Sequence, residues 1–243
     1  MSSLKANIIV QLQKEILHLQ GTRSTSNSTV LDLGLEAIKN AFPNAQFPLG
    51  VVHEFICEGT EDVSASCGFI SGILSSLMRC GGACLWISSS QTVFPPSLKS
   101  FGIDPHKIIF VNLRKEKEIL WAMEEALKCD GLAAVVGEVQ ELSFTVSRRL
   151  QLAVEQSRVT GFIIRRNPRN INTTACVARW KIISIQSIVV DDIPGVGFPR
   201  WNVELLKIRN GNPGTWQIEW IAGKFRPVYK FASIHQEQQR KTG

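Results

Sequence analysis

The chain has 243 residues, 44% of them hydrophobic and 20% charged, with a net charge of +6 and a pI near 9.1. That is an ordinary globular balance, and the length suits one α/β domain with an appended element, or two small domains. No apolar run is long enough to span a membrane, and Lys5, Gln11, Lys14 and Glu15 interrupt the first residues, which argues against a signal peptide. A cytoplasmic protein is expected. The six cysteines (Cys57, Cys67, Cys80, Cys84, Cys129 and Cys176) form no C-x-x-C pair, and the four histidines are scattered. Reduced, mostly buried thiols are expected, with no metal site and no cofactor. Most arginines lie from Arg148 onward. They point as readily to an acidic partner, nucleic acid or an acidic protein face, as to simple solubility.

Residues 4–20 place Leu4, Ile8, Leu12, Ile16 and Leu19 on one helical face. Gly21 ends that helix, and residues 22–28 read as a polar linker. The chain divides accordingly into an amphipathic helix and linker over 1–29, a core over 30–223, and a basic flexible tail over 224–243. A short helix over 33–42, stopped by Pro43, precedes a turn at 47–50. Residues 51–57 then read as a buried strand, 58–68 as a polar loop and 69–77 as an apolar helix.

Three more buried strands follow, at 83–88, 107–111 and 132–136. Residues 98–101 read as one helical turn. The clearest helix runs over 116–129, with Ile119, Met123, Ala126 and Leu127 inward and Glu124 paired to Lys128. Thr145 or Ser147 caps a helix over 147–157, and 161–164 is a fifth strand. Alternating strands and helices predict a twisted, mainly parallel sheet with helices on both faces. The pattern then changes to strands at 177–185, 201–208 and 216–221, with a hairpin turn at 210–214, so the sheet ends in antiparallel strands.

The strand, polar loop and helix at 51–77 have the layout of a phosphate-binding loop, with Gly59, Thr60, Glu61, Asp62, Ser64, Ser66 and Gly68 at its positions. The chemistry is missing. No G-x-x-x-x-G-K-[ST] occurs, so no Lys reaches outer phosphates. Glu58, Glu61 and Asp62 would repel a triphosphate. The phosphate loop is therefore read as degenerate and no ATP hydrolysis is expected, although the helix dipole leaves a weak anion site.

The stretches LGVVHEF (49–55), ILWAMEEAL (119–127), VVGEV (135–139), SRRLQLAVEQS (147–157), ARW (178–180) and PRWNVELLKIRNGNPGTWQIEW (199–220) resemble the ImuA family of RecA-like proteins of bacterial SOS mutagenesis. The resemblance covers most of residues 30–221. It implies a RecA-like P-loop NTPase core without a working phosphate loop. It also implies a non-catalytic role in translesion synthesis, beside an ImuB-like Y-family polymerase homologue, RecA and an error-prone replicative-type DNA polymerase. A divergent RecA-type DNA-binding ATPase and a SulA-like cell-division inhibitor are the alternatives.

Glu138 stands where an active ATPase of this class holds its metal partner, and a salt-bridged glutamate is the preferred reading. Arg148 and Arg149 open a helix, where positive charge opposes the dipole and suits an external anion. Arg165, Arg166 and Arg169 form a basic loop after the fifth strand, a candidate contact for DNA or a partner. Lys224, Arg226 and Lys230 offer a second candidate in the tail. Trp201, Trp216 and Trp220 fall at strand spacing and are assigned to the core rather than to base stacking.

Overall fold

The computed structural model describes residues 33–90, 93–187 and 197–228. The expected helix over 4–20, its linker, Lys230 and the rest of the tail lie outside them. Nine strands make one sheet among the described residues: β1 Val52–Cys57, β2 Ala83–Ser88, β3 Ile108–Asn112, β4 Leu132–Val139, β5 Thr160–Arg166, β6 Ala178–Ile185, β7 Arg200–Ile208, β8 Gly214–Ile221 and β9 Lys224–Pro227. Their spatial order is β3-β2-β4-β5-β1-β6-β7-β8-β9. β1 to β6 are parallel, and β7 to β9 continue antiparallel, as the change of pattern predicts.

All six residues of β1 are buried. The strand is central, flanked by β5 and β6, and that explains why it is buried throughout, His53 and Glu54 included. Helix α1, Thr60–Leu77, packs on one face with Phe55, Phe162, Trp180 and Trp201. Helices α2, Glu116–Leu127, and α3, Phe144–Ser157, pack on the other through Ile119, Met123, Leu150 and Val154. Ser143, not Thr145 or Ser147, caps α3, its Oγ accepting the Val146 N–H at 3.2 Å. The helix expected over 33–42 is only a 3-10 turn at Lys39–Ala41.

Two expectations are corrected. Helix α1 begins at Thr60, so the polar stretch expected as a loop forms its first turns. Glu61 and Asp62 sit at its N-terminus, where negative charge favours the helix dipole. The basic tail expected from residue 224 instead begins with β9, which pairs with β8 and buries Phe225. Alternation decides this: Lys224 and Arg226 face solvent while Phe225 turns inward.

Phe225 packs against Phe69, Trp201 and Trp220, with ring centroids 4.9–6.0 Å apart. Gly72 in α1 makes room for it. A Cβ at that position would lie 2.4 Å from Phe225 Cζ. Gly72→Ala should therefore destabilise by about 1–2 kcal/mol, although alanine gains up to about 1 kcal/mol in a free helix. Chemical denaturation checks this, and trimming Phe225→Leu in the same chain should recover part of the loss. Full stability of the single variant would mean that β9 can move aside.

Candidate functional site at the carboxyl ends of the parallel strands

Open α/β sheets hold ligands beyond the carboxyl ends of their strands. In this chain those ends are tied together by the protein's own side chains. The β1–α1 connection consists of Glu58 and Gly59 alone. The Glu58 N–H donates to Asp62 Oδ2 at 3.0 Å. The Glu58 carboxylate takes Lys181 Nζ at 2.9 Å, and this contact raises the pKa of the lysine. Ser64 Oγ donates back to the Thr60 carbonyl, and Ser66 is buried against Cys57, Oγ to Sγ 3.3 Å. Gly68 lies under Trp201, where a Cβ would approach the indole to 3.1 Å. Of Gly59, Thr60, Glu61, Asp62, Ser64, Ser66 and Gly68, only Thr60, Ser64 and Gly68 line a common cleft. Six of them, all but Gly59, stand along helix α1 from its start at Thr60, and two of those six, Ser66 and Gly68, serve packing.

Arg166 closes the ends of the next strands. Its Nη1 donates to Ser90 Oγ at 3.1 Å and to Glu138 Oε2 at 3.4 Å. Glu138 is buried and also accepts the Trp86 Nε1–H at 2.9 Å, so it is a salt-bridged glutamate. Among the described residues, no group of three or more His, Cys, Asp or Glu is arranged to hold a metal ion. Burial pushes Cys57 up to about 11 and Cys67 well above its ordinary value, so both thiols stay protonated at neutral pH. Clefts of about 460 Å³ and 380 Å³ flank Arg166. The first is walled by α1, Phe94, Phe101 and Trp201, the second by Arg114, Glu116 and Gln140.

Arg165 is corrected most. It is fully buried and cannot reach nucleic acid. Its guanidinium donates to Glu54 Oε1 at 2.9 Å, Asn172 Oδ1 at 3.2 Å, the Asn170 carbonyl at 2.9 Å and Glu141 Oε2 at 3.4 Å. Glu54, in the middle of β1, also accepts Arg179 Nε and Thr174 Oγ1, both at 2.8 Å. Two arginines from the strands flanking β1 therefore share one buried carboxylate, and the network pins the β5–β6 connection to the sheet. Sequence reasoning passed over Glu54, although a glutamate inside V-H-E-F-I-C already requires a buried partner.

The other basic candidates are dispersed. Arg169 is exposed, and its backbone N–H donates to Glu141 Oε1 at 2.9 Å. Arg148 and Arg149 are exposed on α3, and Arg149 pairs with Glu124 at 2.5 Å. Lys224 and Arg226 stand on β9, five strands from β5 and thus roughly 24 Å away. Trp201 and Trp220 are core, and Trp216 is half-buried against it, as assigned. Cys57, Cys67, Cys84 and Cys176 are buried free thiols, while Cys129 is exposed.

Comparison with known proteins decides the family. The chain is 35% identical over 211 residues to Protein ImuA of Caulobacter vibrioides strain NA1000 / CB15N, spanning 82% of this chain and 86% of the relative. The chain belongs to the ImuA family. The ImuA of C. vibrioides strain CB 15 matches to the same extent. This ImuA-family chain is also 30% identical over 123 residues to the cell division inhibitor SulA of Photorhabdus laumondii, over 49% of the chain and 70% of SulA. No family model matches. Among solved structures, the RadB recombinase superposes with a TM-score of 0.55 at 13% identity, over 82% of this chain and all of that one. That likeness establishes the RecA-like fold. No helix among the described residues is long and apolar enough to cross a membrane.

Proposed function

We propose that this protein is a non-catalytic RecA-like accessory factor of the SOS DNA-damage response, supporting assembly of an error-prone translesion synthesis complex in the cytoplasm. Its partners in this reading are an ImuB-like Y-family polymerase homologue, RecA and an error-prone replicative-type DNA polymerase, with DNA as an additional contact. The observation that carries the reading is the two-residue β1–α1 connection. A phosphate loop needs about eight residues of G-x-x-x-x-G-K-[ST] and a lysine. Here the connection has two residues and no lysine, and an aspartate side chain takes the Glu58 amide within it. The strand–turn–helix is read as a degenerate phosphate loop that stabilises the fold. Membership of the ImuA family supports the accessory role.

The expected result is no ATP turnover above a no-protein blank, with or without single-stranded DNA. Affinity purification from DNA-damaged cells should recover the ImuB-like partner. Turnover that disappears on substituting Thr60 and Asp62 would establish a divergent ATPase instead. The SulA similarity favours a second reading as a division inhibitor. Filamentation of undamaged cells on overproduction would carry that reading, and normal division would set it aside.

A further inference from the structure

Helix α3 reverses the usual pattern at one point. It buries Gln151 and exposes Leu152 beside it. The glutamine is buried because its Oε1 accepts the Val52 N–H at 3.1 Å. The leucine is 52% exposed, and Phe144, two turns earlier, is 49% exposed. Single exposed apolar residues are ordinary on a protein surface. These two belong to a stripe. Phe144, Arg148, Leu152 and Glu155 recur at i, i+4, i+8 and i+11, which sets them on one flank of the helix. All four are exposed. The neighbouring Arg149 turns towards α2, where it meets Glu124.

The charges on the stripe identify what covers it. Among the described residues, neither Arg148 nor Glu155 has an ion-pair partner. They stand at i and i+7, about 10 Å apart along the helix axis, and do not meet each other. Their charges cancel, so the stripe has no net attraction for a polyanion or a strongly charged protein face. It is instead complementary to itself. A second α3, laid antiparallel about a two-fold axis beside Leu152, brings Arg148 of each copy opposite Glu155 of the other. The same axis brings the two Leu152 side chains together between the charge pairs.

We propose that this flank of α3 is a two-fold docking surface for a second copy of the chain. Leu152 supplies the apolar centre, Phe144 extends it, and Arg148 and Glu155 fix the antiparallel register. Helix α3 has 14 residues, about 21 Å, and one helix pair of that length makes a small interface. The association is therefore reversible, with a Kd on the order of 10–100 μM. This inference rests on α3 alone and stands whether or not the accessory reading holds.

The test is sedimentation equilibrium of the full chain over about 1–200 μM, which brackets the expected Kd. A monomer–dimer equilibrium is expected. Leu152→Glu should leave the chain monomeric over that range, with an unchanged circular dichroism spectrum because the side chain is exposed. Arg148→Glu sets like charges opposite each other and should weaken association at least about tenfold, and Glu155→Arg should do the same. Acid towards the start of a helix and base towards its end suit the dipole, so folding is spared in both. Made together, the two changes restore opposite charges with their signs exchanged and should recover most of the wild-type affinity. A monomeric wild type, a dimer indifferent to Leu152→Glu, or a double variant no better than the single ones would overturn the proposal. So would a monomeric wild type that loses the ImuB-like partner on Leu152→Glu, since the flank would then belong to that partner.

Discussion

Glu54→Ala is expected to destabilise the protein by about 3–5 kcal/mol, because it leaves buried Arg165 with only the more distant, half-exposed Glu141 and partly buried Arg179 without its carboxylate. For a chain of this size that lowers the melting temperature by roughly 6–20 °C. The cost is that of an orphaned pair of charges, not the worth of the ion pairs themselves. A triple replacement, Glu54→Met with Arg165→Met and Arg179→Leu, removes the charges together. It should therefore lose far less than the three single variants summed. Urea denaturation of the set gives the coupling directly. The single variant should also speed hydrogen exchange over residues 170–176, since Arg165 and Arg179 hold the Asn170 and Asn172 carbonyls. A Glu54→Ala loss below 1 kcal/mol, or additive losses across the set, would show that water already reaches the site.

The second large effect is a loss of stability in mild acid, traced to His53. This imidazole is buried beside Phe47, Phe162 and Trp180. Nε2 lies 2.8 Å from the Pro48 carbonyl, and Nδ1 accepts the Trp180 Nε1–H at 3.2 Å. One nitrogen must donate and the other accept, which fixes the neutral tautomer. A second proton on Nδ1 would face the indole N–H. Burial lowers the pKa from 6.5 to about 4, against a smaller opposing pull from the Pro48 carbonyl. The unfolded chain, titrating near 6.5, thus binds the proton more tightly than the folded one. The stabilisation is complete above about pH 6.5 and falls as pH drops towards 4. Over that window the loss is on the order of 3 kcal/mol. Unfolding free energies measured from pH 7 to 4 should show this slope. His53→Gln should be less stable at pH 7 and flatter across the window. A parallel pair of profiles would assign the acid sensitivity to other groups.

Much of the architecture was legible because buried strands announce themselves. Apolar runs flanked by glycine and polar turns marked β1 to β5, and Trp216, Ile218 and Trp220 alternating with polar residues marked β8. The misreadings share a physical cause. Glu61, Asp62, Ser64 and Ser66 look like loop residues by polarity, yet acids favour a first helical turn, and Ser66 finds its partner inside the fold at Cys57. Lys-Phe-Arg-Pro looks like tail until Phe225 meets the gap at Gly72. Arg165 was grouped with Arg166 and Arg169 by adjacency, but strand alternation sends it inward. Its carboxylate, Glu54, is 111 positions away, beyond the reach of local pattern.

The central position of β1 also sets a timetable for biosynthesis. Its register partners in β5 begin at Gly161 opposite Val52, 109 residues later, and those in β6 begin at Ala178 opposite His53, 125 residues later. At ribosomal speeds of about 5–20 residues per second, the segment Val-His-Glu-Phe-Ile-Cys emerges some 5–20 seconds before either neighbour exists. Through that interval a sticky strand, with a carboxylate destined for burial, waits in water. Pairings so distant along the chain also slow the closing step itself. Nascent chains of this protein should therefore lean on ribosome-associated chaperones more heavily than their modest length suggests.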